Sequence, residues 1–214
     1  ASLLTPEKGK ALADAGLDRI NISIEGVNNE QYKNFSDVNL EFERIVDNVK
    51  AFYENKKQCE MLVKINGDTL SEADRNKFLE IFGDYTDKIY IEHIMSCWPN
   101  FELNGVKPNQ ALGIYGQEIR EVDICPYVFY SFAINSDGMT SLCFLDWSKK
   151  LPIGDVRQQS VKEMRRYQKM FLEGKRKKHP ICGNCGQMTH GSPDDIDPHK
   201  DGLLVKLNSA GYFK

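Results

Sequence analysis

Three segments of alternating apolar and polar residues, separated by stretches of helical period, constrain the fold of this chain more than any other feature. In "DRINISIEG" Ile20, Ile22 and Ile24 alternate with Asn21, Ser23 and Glu25, the period of two that a half-covered strand requires. Phe42, Ile45, Val46, Val49, Phe52 and Tyr53 then recur at helical spacing. "EMLVKIN" reads as a second strand, "SEADRNKFLEIF" as an amphipathic helix capped by Ser71, and "KIYIEHIM" as a third strand. Ahead of them, Thr5 as cap, Pro6 at the first helical position and Gly16 as stop delimit a short helix, with Leu12 and Ala15 predicted inward. Strand, helix, strand, helix, strand implies an α/β unit of parallel strands joined by right-handed crossovers.

Parallel strands covered on both faces read as continuous apolar runs, and these do not. One face carries Asn21, Ser23 and Glu25, then Lys64 and Asn66, then Tyr90 and Glu92. Such a face needs water or a ligand. The expected arrangement is a partial (β/α) barrel with helices outside, a polar lumen inside and ligands met near the carboxyl ends of the strands. An open sheet with one solvent-facing side is the other solution.

After about residue 98 the pattern changes. "FYSFAINSDGMTSLCFLDW" reads as two short strands around Asp137-Gly138, with Cys143 on the second. "PIGDV" reads as a tight turn, and Ser160 with Glu163 as a capping box opening a helix through about Leu172, with Gly174 beyond it. From Gly191 onward the sequence reads as an irregular tail. The predicted organisation is a partial barrel over 1–98, a small cysteine-rich domain of β-hairpin plus helix over 99–190, and a tail over 191–214.

A chain with 41% apolar residues, 28% charged residues and a formal charge of −3 is globular, not a disordered or nucleic-acid-coating one. No apolar run is long enough to span a bilayer and no secretory pattern opens the chain, so a cytoplasmic protein with neither nucleic acid nor membrane as partner is expected. "KRKK", 175–178, reads as a solvated helix exit. In that compartment six cysteines point to metal or buried thiols before disulfides. Cys125, Cys143, Cys182 and Cys185 are spaced C-x17-C-x38-C-x2-C, and four thiolates close a coordination shell. A zinc ion and a [4Fe–4S] cluster both accept such a set, and spacing leaves the two open. Cys59 and Cys97 lack partners at ligand spacing and are expected to be buried apolar residues. His179 and His190 flank the C-x2-C, the first before a proline and the second in loose sequence, and are set aside as ligands. No Ser-His-Asp ordering, HExxH or phosphate-binding glycine loop is present.

"AGLDRINISIEG" and the two βα units after it resemble the second half of a radical SAM barrel, and "CPYVFYSFAINSDGMTSLCFLDW…PIGDV…HPICGNC" resembles the SPASM or twitch domain that follows it. The resemblance runs from residue 3 to about 190. It implies that the four later cysteines hold one auxiliary [4Fe–4S] cluster, and that Ser23, Glu25, Asn66 and Glu92 face S-adenosylmethionine. It implies a parent oxidoreductase or modifying enzyme acting on a peptide, a small metabolite or a sugar-related substrate. The sequence departs from the family in having no C-x3-C-x2-C loop, so a carboxy-terminal fragment, inactive alone, is expected. A non-catalytic interaction module whose four cysteines hold a structural zinc ion is the alternative. A homodimer through the exposed barrel edge at Ile20, Ile22 and Ile24 is a further expectation.

Overall fold

The computed structural model describes residues 1–94, 112–118, 122–146, 148–149, 151–179, 182–185 and 196–213. They fall into two compact units, one of residues 1–94 and 114–116, the other of the described residues among 95–113 and 117–214. No described helix is long and apolar enough to cross a membrane.

The first unit runs α1 (Pro6–Asp14), β1 (Arg19–Ile24), α2 (Asn29–Ser36), α3 (Phe42–Asn55), β2 (Glu60–Asn66), α4 (Glu72–Phe82) and β3 (Lys88–Glu92). The strands form one sheet in the order β1-β2-β3, parallel throughout, with Ser23 beside Lys64 and Lys64 beside Tyr90. This is the expected α/β order. Ile22, Ile24, Met61, Val63 and Ile65 point into one apolar core with Ile45, Val49 and Phe52 of α3 and Phe78 and Phe82 of α4. Phe82 takes Phe42 edge-on, ring centres 6.3 Å apart, and packs on Phe78 at 5.5 Å.

Two features of this unit differ from expectation. On α1 the inward residues are Gly9 and Ala13, while Leu12 and Ala15 are exposed. Gly9 sets that face: a Cβ there would lie 3.0 Å from the Phe52 ring, so α1 approaches α3 where side chains are smallest. Ile22 and Ile24 are buried in this core, and Ile20 is partly buried against it. α2 is an added element. Its residues are mostly polar, but Asn28 caps Gln31 N–H, Asn29 Oδ1 accepts from Phe42 N–H at 2.7 Å, and Tyr32 is buried.

The second unit contains α5 (Tyr127–Tyr130), β4 (Ala133–Ile134), β5 (Met139–Ser141), β6 (Pro152–Asp155), α6 (Val161–Met164), α7 (Tyr167–Leu172) and α8 (Lys200–Ser209). β4 and β5 form the antiparallel hairpin predicted around Asp137-Gly138, Gly138 taking φ 81°. "PIGDV" is not a tight turn but β6, antiparallel to β5, because Thr140 Oγ1 donates to Gly154 O at 2.9 Å and the missing side chain of Gly154 leaves room for Met164. Cys143 lies beyond β5, not on it, since the chain leaves the sheet after Ser141. The capping box forms, but the helix it opens breaks at Arg165 and Arg166 and restarts as α7. The stretch 200–209, expected to be irregular, is a helix whose Leu203, Leu204 and Leu207 pack against a core of Ile124, Val128, Leu142, Met164 and Phe171.

Candidate functional site

None of Cys125, Cys143, Cys182 and Cys185 is in a disulfide, and all four lie in the second unit, each partly buried. Their thiols feel one another. Burial pushes Cys182 up to about 12, with Cys125, Cys185 and Cys143 each adding to the rise and Arg176 opposing it. Burial likewise pushes Cys125 up to about 11, with help from Cys143 and Cys185. Four thiols within electrostatic reach in a desolvated place repel as thiolates unless a cation or cationic cluster joins them, and that donor set fits soft-metal chemistry. Leu145 N–H already donates to Cys143 Sγ at 3.5 Å. Among the described residues no group of three or more His, Cys, Asp or Glu is set to hold a single metal ion.

Cys182 opens a 3₁₀ turn, Cys182–Asn184, that packs on another, Arg176–Lys178. A Cβ on Gly183 would stand 2.7 Å from the Lys177 carbonyl oxygen, so only glycine lets the turns meet. Gly183→Ala is therefore expected to displace the C-x2-C turn and lower iron uptake on reconstitution, read as iron per chain; uptake equal to wild type would contradict the close approach. His179 is placed by its own bonds: its Nδ1 accepts from Cys182 N–H at 3.3 Å and its carbonyl from Gly183 N–H at 2.8 Å. Burial lowers its pKa, so it is a neutral brace for the turn. His190 and Cys97 lie outside the described residues. Cys59 is buried in the first core, as expected of an apolar thiol.

Two residues that sequence patterns did not single out hold the thiol-bearing segments together. Arg176, 6% exposed, donates from Nε to Asp123 O at 3.0 Å and from Nη1 to Cys182 O at 2.8 Å. Asp197 accepts from Asp123 N–H at 2.7 Å and Ile124 N–H at 2.8 Å, immediately before Cys125. The only local hint was "KRKK", where a surface run hides one buried member.

In the first unit Ser23 is exposed, while Asn66 and Glu92 are half-buried on the same polar face, with Glu25 just past the end of β1. Lys64 Nζ pairs with Glu92 at 2.9 Å, and Asn66 Oδ1 accepts from Asp68 N–H, turning the chain after β2. An Asp–His pair, unmarked by any sequence motif, adjoins them: Asp68 Oδ1 meets His93 Nδ1 at 2.6 Å and its Oδ2 accepts from Ile94 N–H. Position was the available signal, since both residues follow the carboxyl ends of parallel strands. Burial raises the Glu25 carboxyl, with Lys64 opposing. A carboxyl raised in the folded state favours its proton there, so its contribution to stability falls as pH climbs from about 4 through the raised value. Glu25→Gln should flatten the stability profile above that pH and gain relative to wild type at neutrality, measured by urea unfolding across pH; parallel profiles would show Glu25 indifferent to its surroundings.

The second unit thus brings together four mutually interacting thiols, with Cys125 and Cys182 on segments braced by hydrogen bonds to the backbone. Residues 125–186 match the family model described as SPASM, an iron-sulfur cluster-binding domain. The match begins on Cys125 and takes in all four thiols, but spans under a third of the chain. No curated protein matches the sequence. The crystal structure of selenomethionine-labelled BtrN in an open conformation is 18% identical over 92% of this chain and 83% of that one, with a TM-score of 0.30, too slight a likeness to carry an argument.

Proposed function

We propose that this chain is the carboxy-terminal part of a radical SAM oxidoreductase or modifying enzyme, whose second unit holds one auxiliary [4Fe–4S] cluster on Cys125, Cys143, Cys182 and Cys185. The observation that carries the reading is the coincidence of the SPASM match with four thiols that interact electrostatically. The bound cluster would supply one-electron chemistry or a substrate ligand. The residues here would hold it, brace it and screen it from water.

The three parallel strands form the matching arc of a (β/α) barrel in this reading, and Ser23, Glu25, Asn66 and Glu92 face S-adenosylmethionine from its polar side. Their sharing of one face near the strand ends supports it. The reducing C-x3-C-x2-C loop is not among these residues. The chain by itself is therefore expected to release no 5′-deoxyadenosine from S-adenosylmethionine with dithionite; product above a no-protein control would overturn that assignment.

Anaerobic reconstitution with iron and sulfide, followed by metal and sulfide analysis and an absorption spectrum, tests the cluster. About four iron and four sulfide per chain are expected, the ratio the cluster's formula sets. A stoichiometric zinc site that iron and sulfide cannot displace would overturn the reading in favour of a structural zinc module.

A further inference from the structure

Between Cys143 and Cys182 the chain carries eleven Lys or Arg against four Asp or Glu. Most of that charge stands in water, where screening limits its reach. Arg176 is different. It is the one buried member among the described residues, and no described carboxylate pairs with it. Its guanidinium is held by two carbonyls, Asp123 O and Cys182 O, which belong to the segments carrying the first and third thiols.

A guanidinium buried against two carbonyls carries a desolvation cost that two neutral acceptors only partly return. An anion nearby would offset the rest. A cluster held by four thiolates is such an anion, and accepting one electron makes it more negative. We propose that Arg176 is a positioning and potential-setting residue of the auxiliary cluster: its fork fastens the Cys125 and Cys182 segments to each other, and its charge stabilises the reduced cluster relative to the oxidised one. The inference rests on the iron–sulfur reading above. It assigns the two effects to different properties of one side chain, the planar fork and the positive charge, and lysine keeps only the second.

Wild type, Arg176→Lys and Arg176→Gln, each reconstituted anaerobically as the full chain, separate them. Iron and sulfide per chain report assembly, and a dithionite titration with mediators, followed by absorption and paramagnetic resonance, reports the midpoint potential. Both variants should load fewer clusters than wild type. Clusters in Arg176→Gln should titrate at a more negative potential, and those in Arg176→Lys should return toward the wild-type value. Equal loading and equal potentials in all three would overturn the proposal. A negative shift that lysine does not reverse would overturn the role of the charge. Should Arg176→Gln hold no cluster, the lysine variant decides: a wild-type potential supports the charge, a clear negative shift overturns it. A wild type that takes up no iron and sulfide overturns the iron–sulfur reading itself, an outcome distinct from a loaded wild type with indifferent variants.

Discussion

Cys182→Ala, put through iron and sulfide reconstitution, is expected to retain no complete cluster and to be cut by protease between residues 125 and 185 where loaded wild type resists. The regular structure there is scant: β4, β5 and β6 have two, three and four residues, and α5 and α6 one turn each. So little hydrogen-bonded ladder leaves the loops that carry Cys125, Cys143 and Cys182 weakly fixed, and on the proposed reading cofactor binding supplies much of their order. For small metal-dependent domains that binding is worth roughly 10 kcal/mol or more, which is the scale of the loss. Apo wild type provides the control. It should be as protease-sensitive as the variant, and equal resistance of the variant and loaded wild type would remove the cofactor from the account.

Phe78→Ala is expected to lower the stability of the first unit by about 3–5 kcal/mol in urea unfolding. Phe78 is fully buried between α4 and the sheet, and it leans on Phe82, which in turn meets Phe42 at the start of α3. Removing it opens a cavity where three elements meet, and packed aromatic neighbours have few rotamers with which to fill it. Leu79→Ala, one residue along and 40% exposed, should change the midpoint far less. A Phe78 variant as mild as the Leu79 one would mean that the core closes over the gap.

The strands of the first sheet and α3 could be read residue by residue because burial on one face imposes a period, and the period survives in the sequence at Ile20 to Ile24 and Phe42 to Phe52. Elements held by other means were not readable. α2 shows no apolar stripe, only an asparagine cap, a single buried tyrosine and a side-chain bond to Phe42. β6 reads as a turn in the sequence because Pro152 and Gly154 carry turn statistics, whereas its pairing with β5 depends on Thr140, fourteen residues before Gly154. The same divide runs through the site. Four cysteines can be counted and spaced. Arg176 reaches the Asp123 carbonyl and Asp197 the Asp123 and Ile124 amides, each more than fifty residues away, and a hydrogen bond to the main chain leaves no trace in the identity of its partner.

Asp197 ties the start of the thiol-bearing stretch to a point beyond its end. The amides just before Cys125 are held by a carboxylate that is 74 residues further along the chain. A ribosome that has completed every one of the four cysteines has still not made the residue that fixes the first of them. Until position 197 has emerged, the four thiols exist without the carboxylate that holds the amides before Cys125. All four cysteines fall inside the loop of chain that the Asp123–Asp197 bond closes, so one carboxylate ties off the whole thiol-bearing stretch from beyond its last cysteine.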